Sequence, residues 1–413
     1  MIKFERFELE NGLKVIVHQD KSTPIVAINI LYNVGSRDET PDKTGFAHLF
    51  EHLMFGGSIN IPSYDEPLQM VGGENNAFTS NDITNYYLTL PKFNIETGFW
   101  LESDRMLSLA FTQKSLEVQR NVVIEEFKQR YLNQPYGDVW LLLRPLVYKN
   151  HPYQWPTIGK EIAHIENAEI SDVKAFFKKF YAPNNAILVV AGDVELDQIK
   201  ALSQKWFGPI PKGEPVLKDF PKELKQTEPR RLTVEKDVPL DAIYMVYHVC
   251  GRKENEYYVA DLISDILSRG DSSRFYRELV KNKKMFSEIS AYLTGDIDPG
   301  LLVISGKIIK GIDVEDAEKA IINELNKIKA ELVSENELNK VKNKIESTHA
   351  FSEMSVPNIA MNLAISENIE DANLVNTEMD YYLRITNQEI KVQANIIFDK
   401  NNCSTLYYLA KKA

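Results

Sequence analysis

The alternation of apolar and polar residues along the chain predicts both strands and amphipathic helices. Residues 14–18, Ile25–Tyr32 and 186–191 are short apolar runs bounded by turn residues, which is typical of strands. Residues 95–109 and 115–131 place apolar side chains three and four positions apart, as on one face of a helix. The pattern therefore predicts a mixed architecture of strands and helices.

The second half of the chain repeats the pattern of the first half. The segment that starts at Val34 is echoed 216 positions later at Cys250. The segment that starts at Asn184 is echoed 217 positions later at Asn401. A nearly constant offset over this distance indicates an internal duplication.

The predicted fold class is α+β, with two homologous domains, each an antiparallel or mixed sheet that helices cover on one side. The N-terminal domain is expected at residues 1–211 and the C-terminal domain at residues 231–413. Residues 212–230 are rich in proline and charge and lack periodicity, so they form the predicted linker. A length of 413 residues also favours more than one hydrophobic core.

Composition restricts the class of function. A net charge of -11 and a pI near 5.3 argue against nucleic acid and against an anionic membrane surface as partners. No apolar run approaches the ~20 residues of a membrane helix, and the first residues lack the apolar core of a signal peptide. We expect a soluble protein, cytoplasmic, or periplasmic if a leader was removed. Cys250 and Cys403 lie in apolar segments and are expected to be buried, which excludes a thiolate metal site.

His48, Glu51 and His52 are spaced so that one face of a helix presents all three side chains. Two neutral imidazoles one turn apart can occupy two of the four tetrahedral positions of a zinc ion. Glu51 would lie beside them, where a carboxylate can accept a proton from an attacking water. The spacing therefore indicates metal-assisted hydrolysis, although a helix with two solvated histidines is the simpler alternative.

A third ligand is sought among the acidic residues of the helix at 115–131. Helical register places Glu126 on the same face as Val122 and Val123, which are expected to be buried, whereas Glu125 lies about 100° away toward solvent. A carboxylate on an apolar stripe needs a compensating cation, which zinc would supply. Glu126 is therefore the preferred ligand, and a solvated face carrying two adjacent glutamates remains the alternative.

A small, polar stretch precedes the alternating strand pattern that ends near Leu90. It contains Asn76, Ala77 and Phe78, and its character is that of a strand whose backbone edge stays accessible. Such an edge can bind an extended peptide as an added strand. An ordinary edge strand followed by a turn is the alternative.

Together, these motifs resemble those of the pitrilysin family of zinc peptidases, the inverted zincins. The resemblance rests on the His-x-x-Glu-His order at 48–52 and on Arg-Asn-Val-Val-Ile-Glu-Glu at 120–126, which places Glu126 74 positions after His52. It also includes Asn-Ala-Phe-Thr at 76–79, which looks like the family's substrate-pairing strand.

The resemblance implies a zinc endopeptidase with one Zn²⁺ per chain. It implies that His48, His52 and Glu126 bind the metal, that Glu51 activates water, and that the strand at 76–78 aligns the peptide. In the family, two such halves enclose a chamber that admits peptides and unfolded segments. A chain of this length resembles one half, so a second subunit is expected.

Two departures from the family pattern bear on this expectation. Active relatives usually carry a glutamate at the position of Gln119, so we expect Gln119 to support the site from the outer shell. The partner half of active relatives carries an arginine and, seven residues on, a tyrosine, and the matching positions here are Val280 and Ser287. We therefore expect a homologous companion that supplies this pair as a heterodimer, with a homodimer as the alternative.

The second domain is expected to be non-catalytic, because Asp261, Ser264 and Asp265 stand in the helix that corresponds to the His48 helix. Two other functions remain open for the whole chain. One is a non-catalytic assembly subunit like the core proteins of respiratory complexes, which the intact metal motif disfavours. The other is a peptide-binding shell that zinc merely stabilises.

Overall fold

The computed structural model describes residues 1–411, which form two compact units. The first unit comprises Met1–Arg130, Trp155–Pro221 and Ala350–Asn376. The second unit comprises Tyr131–Gln154, Lys222–His349 and the chain from Thr377 onward. Each unit therefore contains one segment from the other half of the sequence.

The strands of the described residues form two sheets. They are β1 (Glu5–Glu8), β2 (Lys14–Gln19), β3 (Ile25–Tyr32), β4 (Glu74–Thr79), β5 (Thr84–Pro91), β6 (Ala186–Gly192), β7 (Arg230–Lys236), β8 (Ala242–His248), β9 (Phe286–Leu293), β10 (Leu301–Ile308) and β11 (Cys403–Ala410).

The helices follow the predicted alternation with strands. They are α1 (Phe46–Leu53), α2 (Asp65–Met70), α3 (Ile95–Leu107), α4 (Gln113–Phe127), α5 (Val139–Val147), α6 (Ile162–Glu166), α7 (Ile170–Phe180), α8 (Leu196–Trp206), α9 (Glu256–Ser268), α10 (Val314–Ala330), α11 (Glu335–Ser352), α12 (Val356–Ile369), α13 (Leu374–Arg384) and α14 (Asn387–Ile397). None of the helices within residues 1–411 is long and apolar enough to cross a membrane.

The two sheets have the same topology. The first has the order β1-β2-β6-β3-β5-β4 and the second has the order β7-β11-β8-β10-β9. In each sheet one pair is parallel, β2 with β6 and β7 with β11, and the remaining pairs are antiparallel. Apart from the additional strand β1, strand order and direction match one to one. This repeat confirms the predicted α+β fold with two homologous domains.

Helices cover both faces of the first sheet, whereas one face was expected. Even-numbered residues of β3 face α3, where a Cβ on Gly98 would lie 2.6 Å from Ile28 Cδ1. Odd-numbered residues such as Ala27 pack against α12, including Leu363. The helix on the second face comes from the C-terminal half of the chain, so the local pattern could not reveal it.

The second sheet is covered in the corresponding way. Its residues Ala242 and Val246 pack against Leu143 of α5, a helix from the N-terminal half of the chain. The opposite face packs against α9, α10 and α14 through residues such as Ile243. The compact units therefore do not coincide with the two halves of the sequence. The first unit takes Ala350–Asn376 from the C-terminal half, and the second unit takes Tyr131–Gln154 from the N-terminal half. Of the two cysteines, Cys403 is buried as expected and Cys250 only partly.

Candidate metal centre

Helix α1 presents His48, Glu51 and His52 on one half-buried face. Its other face buries Leu49 and Phe50, which pack in the first unit. Tyr86 of β5 fixes this face further, since its hydroxyl donates a hydrogen bond to the Phe50 carbonyl at 3.4 Å. The apolar positions of the helix therefore determine which way the three polar side chains point.

The start of α1 is fixed by the buried carboxylate of Glu39. Its Oε2 accepts from the Gly45 N–H at 2.9 Å and its Oε1 accepts from the Ala47 N–H at 2.8 Å. These are donors that a helix start leaves unsatisfied, and Gly45 adopts the left-handed conformation with φ of 88°. Burial raises the pKa of Glu39, and the two N–H donors oppose this shift. Glu39 anchors the helix one turn before His48.

Three potential metal ligands converge between α1 and α4. His48 Nε2 and His52 Nε2 are 3.3 Å apart, and Glu126 Oε2 is 3.6 Å from the first and 3.4 Å from the second. Metal–ligand bonds of about 2.0–2.1 Å in a tetrahedral site place neighbouring ligand atoms about 3.3 Å apart. The two imidazoles and the carboxylate therefore fit a zinc ion. Within residues 1–411 this is the one such group of three or more His, Cys, Asp or Glu side chains.

Helix α4 carries Glu126 toward the histidines and Glu125 away from them. It begins after Thr112, whose hydroxyl accepts from the Ser115 N–H at 3.0 Å. The Glu126 side chain is 17% exposed, whereas that of Glu125 is 61% exposed and contacts Lys128 at 2.7 Å. The helical register thus places these two glutamates as expected.

The expected apolar stripe around Glu126 is narrower than the sequence suggested. Val123 is buried, but Val122 is 43% exposed. The expectation that Val122 is buried was wrong because α4 packs along the line of Leu116, Val123 and Phe127. Glu126 lies at the border of this line.

The charges around the three ligands favour metal binding. Burial lowers the pKa of His48 to about 4, despite the neighbouring Glu126 carboxylate, so its imidazole is neutral at pH 7. A hydrogen bond from His52 lowers the pKa of Glu126, which is therefore a carboxylate. These are the protonation states in which imidazole and carboxylate bind a metal.

Arg130 holds the second oxygen of Glu126. Its Nη1 lies 2.9 Å from Glu126 Oε1, while Oε2 faces the histidines. Arg130 belongs to a π-helical turn, Lys128–Leu132, that follows α4 directly, and its side chain is 70% exposed. The guanidinium therefore orients the carboxylate from the solvent side.

Thr79, the last residue of β4, holds Glu51. Its hydroxyl donates to Glu51 Oε2 at 2.5 Å. Burial raises the pKa of Glu51, and this hydrogen bond opposes the shift. The edge strand and the candidate general base are thus joined by one side chain.

Strand β4 is the outermost strand of its sheet, next to β5. Ala77 lies opposite Tyr86, which contacts α1. The side chains of Ala77 and Thr79 therefore lie on the face of the sheet that α1 covers. Phe78 packs against the cluster around α12 on the opposite face, and alternation places Asn76 there too. Of the three residues expected to bind substrate, only Ala77 has its side chain on the side of Glu51.

Gln119, the expected outer-shell residue, is half-buried on α4. Its Nε2 lies 3.9 Å from the position that a Cβ on Gly56 would take. Apart from the two histidines, the side chains that contact the carboxylates of Glu51 and Glu126 in the described residues include Thr79 and Arg130. Sequence reasoning missed Arg130, although it stands one helical turn after Glu126, and Thr79, although it adjoins the predicted strand residues.

In the second unit, protein groups hold the residues of α9 that correspond to the metal motif. Asp261 accepts from the Tyr382 hydroxyl at 2.7 Å, and Asp265 pairs with Arg269 at 3.0 Å. Ser264 donates to a backbone carbonyl of its own helix. The cationic side chain of Arg269 thus pairs with a residue of α9 that corresponds to a candidate metal ligand of the first unit.

The fold and the site define a class: a two-domain α+β protein with an inverted zinc-peptidase motif on a helix beside an edge strand. Residues 14–158 match the family model described as Insulinase (Peptidase family M16), and residues 167–345 match the model described as Peptidase M16 inactive domain. The chain belongs to peptidase family M16, the pitrilysin family.

Known relatives agree with this assignment. The chain is 32% identical over 333 residues to zinc protease PqqE of Helicobacter pylori, covering 79% of this chain and 75% of the relative. It superposes on the crystal structure of a protease from Helicobacter pylori with a TM-score of 0.94 and 29% identity, over 99% of this chain and all of the other. It shares the fold of the periplasmic protease PqqL from Escherichia coli at 18% identity and a TM-score of 0.79, over 98% of this chain but 47% of PqqL.

Proposed function

We propose that this protein is a zinc metalloendopeptidase that cleaves peptides or unfolded polypeptide segments. The observation that carries the proposal is the convergence of His48, His52 and Glu126 with ligand atoms 3.3–3.6 Å apart. Glu51 adds a carboxylate on the same helix face that is not one of the three converging ligands and that accepts a hydrogen bond from Thr79 through Oε2. Zinc peptidases among the relatives support the same chemistry.

His48, His52 and Glu126 would hold the zinc ion. When bound, zinc supplies a Lewis acid that polarises the scissile carbonyl and acidifies water. Glu51 accepts the proton of the attacking water and passes it to the leaving amine. Thr79 restrains the rotation of Glu51 and keeps Oε1 free for this proton.

The substrate would bind as an extended strand along β4. The edge of β4 lies beside α1, so a peptide that continues the sheet passes the side of Ala77 and Thr79 that carries Glu51. Main-chain pairing of this kind tolerates many sequences, because alternating side chains point away from the pairing strand. Such binding suits unfolded segments rather than a single peptide sequence.

A homologous companion subunit would complete the site. The chain covers about half the length of PqqL, as expected if it corresponds to one half of a longer protein. Val280, in the π-helical turn Tyr276–Asn282, and Ser287, in β9, cannot supply the arginine and tyrosine of active relatives. A heterodimer with a partner that carries this pair is the proposed working form, and a homodimer is the weaker alternative.

Zinc content and peptide cleavage together test the proposal. Glu51→Gln should keep one zinc per chain and lose hydrolysis, whereas Glu126→Gln should lose zinc. Glu125→Gln is the matched control, because the adjacent glutamate faces solvent, and it should keep both. A metal-replete Glu51→Gln protein that still cleaves peptide would refute the role of Glu51. Retained zinc without any cleavage by the wild type, with or without companion, would identify a binding shell instead.

A further inference from the structure

The open edge of β4 exposes the backbone groups of alternate residues. At the β4–β5 turn, the Ser80 N–H donates to the Ile83 carbonyl at 2.8 Å. Bonded and non-bonded pairs alternate along an antiparallel ladder. Counting back from this pair, Ala77 and Tyr86 form a non-bonded pair. The N–H of Ala77 therefore points away from β5, toward the open edge.

A side chain of the same strand accepts a hydrogen bond from this N–H. Ala77 N–H donates to Asn76 Oδ1 at 2.8 Å. This hydrogen bond agrees with the alternation of bonded and non-bonded pairs along β4 and β5. An Ala77 N–H that donated to β5 could not also reach the Asn76 side chain. The exposed Asn76 thus folds back along the edge and satisfies the donor that β5 leaves open.

The position of Ala77 makes this contact relevant to binding. Its side chain shares the face of Thr79, whose hydroxyl holds Glu51. A peptide added to the edge beside Glu51 would place a main-chain carbonyl against the Ala77 N–H. Asn76 Oδ1, an amide carbonyl oxygen like that of a peptide main chain, now accepts the hydrogen bond from this N–H. Binding of the peptide requires the Asn76 side chain to rotate away.

We infer that Asn76 is an internal competitor for the substrate edge, which caps the Ala77 N–H until an extended peptide displaces it. The inference rests on the proposed function for the identity of the ligand, an extended peptide. It assigns Asn76 a role opposite to direct substrate binding. The cap also explains how an open edge next to an active site avoids pairing with other chains, which is the usual hazard of unprotected edge strands.

The test measures peptide binding without turnover. Full-length protein is treated with a chelator, and the dissociation constant for fluorescein-labelled, reduced and alkylated insulin B chain is measured by anisotropy. Asn76→Ala and Asn76→Leu both remove the acceptor, and Leu keeps the bulk. Both should lower the dissociation constant about two- to tenfold, the range expected for one competing hydrogen bond. Asn339→Ala, the same change at an exposed position of α11, controls for loss of an amide.

Amide hydrogen exchange provides a readout that needs no ligand. Exchange of the Ala77 N–H, followed by mass spectrometry of the peptide that covers β4, should be faster in Asn76→Ala and Asn76→Leu than in the wild type. Unchanged exchange would overturn the inference, and so would a dissociation constant that stays the same or rises. Failure of the proposed function has a different signature, namely that zinc-loaded wild type cleaves no peptide although the Asn76 variants bind the B chain more tightly.

Discussion

Arg130 binds the Glu126 oxygen that does not face the histidines. The guanidinium lies 2.9 Å from Oε1, while Oε2 is 3.4 Å from His52 Nε2 and 3.6 Å from His48 Nε2. A carboxylate held at one oxygen has lost most of its rotational freedom before a metal arrives. The arrangement makes Arg130 an orienting residue for the proposed metal site rather than a ligand.

Replacement of Arg130 should therefore weaken zinc binding. Arg130→Gln is expected to raise the zinc dissociation constant about 10- to 100-fold, the usual effect of losing an outer-shell partner. Arg130→Lys should restore part of the affinity, because an ammonium can contact Oε1. Competition with a chromophoric chelator measures the affinity. Lys128→Gln, which removes the partner of Glu125, serves as control, and equal losses in both variants would show a general disturbance of this end of α4 instead, since loss of a positive charge alone would favour binding of a cation.

Thr79 should influence turnover more than substrate affinity. Thr79→Val keeps the shape and removes the hydroxyl that fixes Glu51, so kcat should fall about 10- to 100-fold, the value of a hydrogen bond to a charged group. KM should stay close to that of the wild type, because the β4 backbone is unchanged. Thr79→Ser should recover most of the rate. A rise in KM at constant kcat would show that Thr79 binds substrate and does not position Glu51.

Glu223 provides a pH-dependent contribution to stability in the second unit. Its carboxylate accepts from the consecutive N–H groups of Lys149, Asn150 and His151 at 2.8–3.1 Å. Burial alone would raise the pKa of Glu223, but the three donors outweigh it and the pKa lies below its ordinary value. A carboxylate with a lowered pKa stabilises the fold above the unfolded pKa, and this contribution is lost as the pH falls.

Glu223→Gln should accordingly lower the free energy of unfolding by about 1–2 kcal/mol at pH 7. The difference from the wild type should shrink as the pH falls below the ordinary pKa of a glutamate, about 4.3, because the contribution is lost progressively while the carboxyl of the wild type takes up its proton. Urea unfolding at pH 7 and at a pH below the ordinary pKa of glutamate measures the difference in free energy of unfolding between the variant and the wild type. Glu228→Gln, at an exposed glutamate five residues further along the chain, should change stability little at either pH. A difference that persists at low pH would assign the effect to packing.

The parts of the structure that sequence could predict are those set by local periodicity. The register of α1 and α4 places Glu51 with the histidines and separates Glu126 from Glu125, because helical geometry fixes which side chains share a face. The same logic failed for Val122, since periodicity does not say how wide a face its neighbours cover. Thr79 and Arg130 were missed for another reason. Their roles depend on how β4 and the π-helical turn approach α1. The spacing of residues along the chain does not reveal this tertiary arrangement.

The last prediction concerns catalysis by the isolated chain. Val280 and Ser287 lack the guanidinium and the phenol that stabilise the developing oxyanion in active relatives, and loss of one such donor typically lowers kcat by about 10²–10³. The zinc-loaded chain alone should therefore cleave peptide slowly, and a homologous companion carrying the arginine and tyrosine should raise kcat by at least that factor.

Two controls determine which chain performs the chemistry. Companion mixed with Glu51→Gln should stay inactive, because the companion completes the site but supplies no general base. Sedimentation of the mixture should show one copy of each chain, since the proposed companion supplies the other half of the site. If the isolated wild type reaches full activity as a homodimer and the companion adds nothing, the oxyanion donors must come from this chain.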